Sequence, residues 1–488
     1  MVDRKTIVGG VDDNTTSAPV QANQVKIKER IAYAMSDFGC NTIFQIVGTY
    51  FLVFCTDTLG VAAAAVTGLF ALSAIIDSVD GLVWGQFIDR TRTKWGKSRP
   101  YWLWFSIPFA IFCVMCFTAI PGLGQTGKII WIYIAYIGSK ILYSGINIPV
   151  TSILPSLTSN PKERITLSTI RQFLGNFGGA IFLPLTLPAV AFFGGIFGDR
   201  GTKGDATTSP IGWFIWAVIL AIITAACLLT AFAGTKERVV TRDSKRSIPM
   251  RESVKALKGN YPWAIIIFIN FIYWGGFAVR SSSLPYYFKY VLHNEALGSL
   301  TLAATFITLF STALVPFVAA RIGKRNTMLV GMVGTALSQL ILFVADKMNG
   351  NIAVILIGIV VYYISYGLTG ALIAVMLSDA VDFGEWKNNV RAEGFVTSFS
   401  SFSAKLGMGI GGMILAAILA AGQYTSGAAA SQPTSALHAI SLGFIWIPFI
   451  GYALSAIALL FNNIDKVEPK MVAELSVKHA RELAEFGE

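Results

Sequence analysis

Long apolar runs alternate with short polar breaks along nearly the whole chain. Runs near or above 20 residues recur twelve times, at approximately 31–57, 64–88, 101–121, 129–155, 165–194, 211–232, 262–286, 297–320, 327–345, 352–378, 395–422 and 437–461. Each suits a helix crossing a hydrocarbon core about 30 Å thick. The pattern therefore predicts an all-α membrane protein with twelve transmembrane helices. The longest charged break, Thr235 to Tyr261, follows the sixth run and divides the chain into two six-helix halves. The expected organisation is a tail at 1–30, an N-terminal bundle at 31–234, a central loop at 235–261, a C-terminal bundle at 262–461 and a tail at 462–488. Span 2 leaves through GQFIDRTRTK (Gly85 to Lys94) and span 8 through AARIGKRN (Ala319 to Asn326), a faint echo between the halves.

Polar residues inside the apolar runs mark candidate chemistry. Asp77 and Asp80 stand three apart, on one helix face, just before the run exits through Arg90, Arg92, Lys94, Lys97 and Arg99. A carboxylate at mid-membrane costs about 2.5–3.5 kcal/mol on insertion scales and needs a wet cavity, a partner or a proton. A coupling-ion or proton site is the favoured reading; a structural ion pair is the other. Lys405, about ten residues into span 11, is too deep to reach the interface easily. Asp77 is its expected partner, with Asp80 and Ser144 in the same group. Stripes at helical spacing include Asp37, Asn41, Gln45 and Gly48 on span 1, Tyr143, Asn147 and Thr151 on span 4, Arg171 on span 5 and Trp274 on span 7. Amides, hydroxyls and aromatic planes together suit a sugar, with its apolar face and rim of hydroxyls. Any single Asn, Ser or Thr could equally be glue between helices.

Composition agrees with the membrane reading. Hydrophobic residues make up 54% and charged residues 13%, against about 25% charged in soluble domains, and mean hydropathy is +0.62. The net charge of +11 gathers in the loops after spans 2, 6 and 8, which is an orientation signal and not a nucleic-acid surface. Both termini are expected in the cytoplasm, with the chain in the cytoplasmic membrane. The acidic stretch SDAVDFGEWKNNVRAEG (Ser378 to Gly394) is read as a loop. Asp379, Asp382 and Arg391 are expected to form a cytoplasmic gate there with Arg90 and Arg92. The five cysteines lie in apolar runs, and the three histidines, His293, His438 and His479, are scattered. No enzyme and no cofactor is expected. GLGQTGK (Gly122 to Lys128) continues with Ile129 instead of Ser or Thr and follows no strand, so it is not a phosphate loop.

Four stretches carry a family resemblance: SDFGCNTIFQIVGTYFLVFCTD (Ser36 to Asp57), IDSVDGLVWGQFIDRTRTKWGKSRP (Ile76 to Pro100), INIPVTSILPSLTSNPKERITLSTIR (Ile146 to Arg171) and VDFGEWKNNVRAEGFVTSFSSFSAKLGMGIGG (Val381 to Gly412). They resemble the glycoside-pentoside-hexuronide:cation symporters of the major facilitator superfamily, among them the melibiose carrier. The resemblance implies cation-coupled movement of sugars by alternating access between two six-helix repeats, with the site near the midplane. It implies a cation-site role for Asp77, with Asp80 three on, a span 11 lysine at Lys405 and a sugar-site arginine at Arg171. Asn41 and Asn147 fall where the melibiose carrier has its sugar-gripping aspartates. Gly81 stands in place of a second cation-site aspartate, removing an oxygen that a sodium ion would use. A proton is thus expected over sodium at Asp77 and Asp80. Thr151 and Gly370 stand where that carrier has tryptophans, which implies a roomier or differently shaped pocket.

The expectation is a symporter importing a glycoside, pentoside or hexuronide with a proton, functional as a monomer, its partners being sugar, coupling cation and lipid. Two other readings stay open here: a major facilitator exporter or proton-coupled antiporter of small organic molecules, and a non-transporting sugar sensor.

Overall fold

A computed structural model describes residues 25–158, 161–201, 205–238, 255, 257–348, 350–390, 393–426 and 431–485. Twelve helices cross the bundle: α1 (Ile27–Thr58), α2 (Ala63–Arg90), α3 (Arg99–Cys116), α4 (Gln125–Ser152), α5 (Pro161–Ile196), α6 (Pro210–Gly234), α7 (Tyr261–Val291), α8 (Glu295–Ile322), α9 (Lys324–Lys347), α10 (Ile352–Asn388), α11 (Glu393–Ala421) and α12 (Thr434–Leu460). All but α2 are long and apolar enough to span a membrane by composition alone. Helix α2 has 28 residues, about 42 Å at 1.5 Å per residue, and its apolar stretch among the described residues is Ala63–Asp77. Only helices satisfy every backbone group within one segment in lipid, and no strand occurs among the described residues.

Within the N-terminal half α1 packs on α5 and α6, and α3 packs on α4 and α6; within the C-terminal half α7 packs on α11 and α12, and α9 on α10. The halves meet along α2–α11, α5–α8 and α1–α7. Glycines set the closest approaches. A methyl on Gly407 would press on the Phe271 carbonyl and one on Gly411 on the Gly275 carbonyl, so α7 and α11 touch backbone to backbone. Helices α1 and α7 each end in a π-helical turn, Phe54–Thr58 and Tyr287–Val291, a local widening common at functional positions.

Two segments differ from the sequence expectation. Helix α10 does not stop near residue 378; it runs to Asn388 and ends at Asn389, whose φ of 55° is left-handed. Asp379, Asp382 and Glu385 are therefore helical residues and not a loop. The acids persist on a helix because basic groups meet them there: Lys324 Nζ lies 2.7 Å from Asp379 Oδ2, and Lys478 Nζ lies 3.9 Å from Glu385 Oε1. The chain beyond the twelfth span forms another helix, α13 (Ile464–Glu485), packed on the end of α10. Its Glu468 also binds Lys324 at 2.7 Å, and its Glu474 accepts from Trp386 Nε1 at 2.6 Å.

The end of the bundle carrying Val25 and α13 is tied within each half. Arg238 grips Glu29 with two bonds of 2.9 and 2.6 Å, Arg30 binds Glu163 at 3.1 Å, and the Glu237 carboxylate accepts from the backbone N–H groups of Lys97, Ser98 and Arg99. Bidentate guanidinium–carboxylate pairs of this kind are among the stronger polar contacts.

Candidate functional site

Midway along the bundle a chain of polar contacts links α1, α4 and α5. The Asn41 amide donates to Asp37 Oδ1 (2.8 Å), the Tyr143 hydroxyl donates to Asn41 Oδ1 (3.0 Å), and the Asn147 amide donates to the Tyr143 oxygen (3.4 Å). Arg171 stands 3.7 Å from Asp37 Oδ2. The ring of Tyr143 lies flat on Phe44, 4.1 Å between centroids. Four expected sugar-site residues are thus gathered around a fifth, Asp37, which belonged to the span 1 stripe but carried no assigned role. Close approach of α5 permits this: a methyl at Gly175 would meet the Asp37 carboxylate, and one at Gly179 would overlap the Gln45 amide.

The other expected residues disperse. Gln45 lines a small cavity with Phe277, Arg280, Ser281 and Tyr362. Arg280 is buried there, its guanidinium 3.5 Å from the Tyr362 ring centroid, and its Nε and one terminal nitrogen have no hydrogen-bond partner among the described residues. Half-buried Trp274 stands edge-on to Tyr273 and Phe277 in the C-terminal half. Thr151 is exposed and spends its hydroxyl on the carbonyl of Ile148 in its own helix. The space expected at Gly370 is not open, because the Tyr273 hydroxyl fills it.

The charged pair crossing the two halves is not the expected one. Lys405 Nζ lies 3.4 Å from Asp80 Oδ1 and 3.3 Å from Ser144 Oγ, whereas Asp77 Oδ2 lies 3.6 Å from Lys140 Nζ on α4. Helix α11 packs against α2 on the side that presents Asp80, leaving Asp77 to α4. Asp80 Oδ2 is buried and has no hydrogen-bond partner among the described residues. Sequence reasoning missed Lys140 although its signal was present: a lysine deep in span 4 needs a counter-charge as much as Lys405 does.

A family model described as "MFS/sugar transport protein" matches residues 32–466. The chain belongs to this family. The match agrees with the expected glycoside-pentoside-hexuronide:cation symporter type. The transporter is 52% identical over 465 residues to the isoprimeverose transporter of Lactiplantibacillus pentosus, covering 95% of this chain and 94% of that one. It is 28% identical over 469 residues to the glucuronide carrier protein homolog of Escherichia coli (strain K12), covering 93% and 99%. Among solved structures, a D-xylose-proton symporter superposes with a TM-score of 0.65 at 16% identity, covering 89% and 96%. The major facilitator fold is therefore established, and the protein is a many-span membrane transporter of the sugar class, not an enzyme.

At the end of the transporter opposite its termini, a second polar cluster joins the halves. Asp57, with no exposed surface, accepts from Tyr290 (2.6 Å), Tyr424 (2.5 Å) and Lys289 (3.2 Å). Lys289 also binds Asp205 at 2.6 Å. Thr56 shares a hydrogen bond with Tyr286, Thr49 with Ser281, and the Ser282 hydroxyl donates to the Gly48 carbonyl. Asp57 and Lys289 lie in the two π-helical turns that end α1 and α7. Of this cluster the sequence singled out only Gly48, in the span 1 stripe; Asp57, Asp205, Lys289, Tyr290 and Tyr424 carried no assigned role.

Burial alone would push the Asp205 carboxyl up, but the Lys289 ammonium and Thr207 outweigh it and hold it below the usual carboxylate range. A lowered acid contributes stability that is complete above its unfolded value, near about 3.9, and is lost as pH falls through the lower folded value. Asp205→Asn is therefore expected to reduce Tm at pH 7, with the gap to wild type closing in acid. Thermal unfolding of both proteins across pH checks this, and a gap independent of pH would contradict it.

The expected gate at the terminal end takes another form here. Asp379 binds Lys324 of its own half and does not reach Arg90 or Arg92. The turn at Gly323 starts α9 beside the end of α10, which brings Lys324 there first. Arg90 and Arg92 are exposed, Asp382 is half-buried on α10, and Arg391 lies outside the described residues.

Proposed function

We propose that the transporter imports a neutral disaccharide of the isoprimeverose class together with a proton. The sugar assignment rests on the 52% identity to the isoprimeverose transporter across almost the full length of both chains. The coupling assignment rests on one observation: buried Asp80 bridges the halves through Lys405 while its second oxygen has no partner among the described residues. A carboxylate in that state has a vacant acceptor ready for a proton, and protonation removes the charge that holds Lys405. Sodium fits less well, because a hard cation wants several oxygens around it.

In this reading Asn41, Asn147 and Arg171 bind sugar hydroxyls, with Tyr143 and Trp274 as apolar faces and Arg280 as a further donor toward the cavity. Loop charge orients both termini to the cytoplasm, so the end sealed around Asp57 faces outward. Protonation of Asp80 and sugar binding bias the two halves toward the other state, in which Arg90 and Arg92 approach the acids of α10.

Purified protein in vesicles tests the proposal. Isoprimeverose is expected to exchange across the membrane and to accumulate under an inward proton gradient without sodium, with glucuronides competing weakly. Exchange of no disaccharide, or accumulation only with a sodium gradient, would refute it.

A further inference from the structure

Two acids and two amines meet at α2, yet the pairs differ in kind. Asp80–Lys405 joins α2 to α11 across the halves, whereas Asp77–Lys140 joins α2 to α4 inside the N-terminal half. Rocking of the halves can break the first and leaves the second intact. Lys140 is deeply placed: its side chain is 16% exposed and that of Asp77 10%. Its ammonium lies 4.6 Å from the Phe44 ring centroid and 5.6 Å from that of Tyr136, faces that favour a cation held away from water. The groups around it are Asp77, Tyr136, Ser139 and Tyr143, with Asp80, Ser144 and Lys405 beyond on the neighbouring helices.

We propose that Lys140 is a resident counter-cation at Asp77, whose tethered ammonium takes the place a free metal cation would otherwise occupy and so excludes sodium from the coupling step. The inference rests on the proton-coupled sugar reading above and adds the residue that sets its ion selectivity. An intramembrane carboxylate needs neutralising, and here the chain supplies the charge itself. A second cation bound to Asp77 would sit within a few ångströms of a fixed like charge and would find little else to ligate it: the nearest hydroxyl at the neighbouring acid, Ser144, is already engaged by Lys405. A metal ion at this spot therefore has a repulsive neighbour in the Lys140 ammonium, and among the described residues little beyond Asp80 Oδ2 to complete a shell of several oxygens.

Removing the ammonium should reverse the selectivity. In vesicles without any imposed gradient, sugar exchange by wild type and Lys140→Arg is expected to be the same in sodium, lithium or choline chloride at fixed pH. Exchange by Lys140→Gln is expected to rise several-fold and saturably with sodium, because Asp77 is vacated. The double variant Asp77→Asn with Lys140→Gln should lose that response. Sodium-stimulated exchange by wild type would overturn the inference, as would Lys140→Gln that exchanges sugar yet ignores sodium. If Lys140→Gln fails to fold, wild type and Lys140→Arg still decide, since both must be indifferent to sodium in exchange and in thermal unfolding. Wild type that exchanges no sugar sinks the functional reading instead, while sodium-dependent thermal stabilisation of Lys140→Gln continues to report on the ion site.

Discussion

Asp57→Ala is expected to open the seal at the end of the bundle opposite the termini. The carboxylate is buried and is the common acceptor for Lys289, Tyr290 and Tyr424, so its loss strips three contacts between the N-terminal and C-terminal halves at once. Removing one partner of a buried pair costs about 3–5 kcal/mol, and Asp205, still bound to Lys289, should keep the loss near the lower bound. Inverting a two-state equilibrium from 1:99 to 99:1 takes about 5.5 kcal/mol, so the variant should populate the state open at this end substantially. All five native cysteines are buried, which leaves spin labels at Thr126→Cys and Ile352→Cys, both exposed at the sealed end, as clean reporters. The distance between them should lengthen in Asp57→Ala. A lower Tm with an unchanged distance would make Asp57 a purely structural residue.

Asp80→Asn uncouples transport from the proton gradient. A gradient of one pH unit, about 1.4 kcal/mol per proton, supports roughly tenfold accumulation of a co-transported sugar. In Asp80→Asn no proton is taken up at this position, and the accumulation ratio should fall to unity. Exchange of labelled for unlabelled sugar should continue, because Asn41, Tyr143, Asn147 and Arg171 are untouched. Asp77→Asn is expected to behave differently: it leaves the Lys140 ammonium buried without its acid and should lower stability before it changes coupling. Accumulation retained by Asp80→Asn would move the proton site elsewhere.

The twelve spans were legible because lipid forces each crossing to be a continuous apolar helix, and the family was legible because four stretches carry its residues in register. The polar cluster of Asn41, Tyr143, Asn147 and Arg171 was legible from stripes at helical spacing on spans 1, 4 and 5. Pairing was not. Asp77 and Asp80 share a face by spacing, but which one meets Lys405 depends on the lateral position of α11 against α2, which no local pattern encodes. The extension of α10 to Asn388 was hidden for a similar reason: its acids look like a solvated loop until Lys324 from the start of α9 is brought beside them. Asp57 was hidden because its partners arrive only when α7 and the turn after α11, which carries Tyr424, dock across it.

The seam between the halves has a polarity. Asp57, Asp80 and Asp205 all come from the first half of the chain, and the amines they meet, Lys289 and Lys405, from the second. Two copies of the same half would therefore repel at these positions, while unlike halves attract at both depths. Expressed as separate polypeptides, the two halves would carry in those charges an address for one another, so that reassembly favours the heterologous pair over either self-pairing.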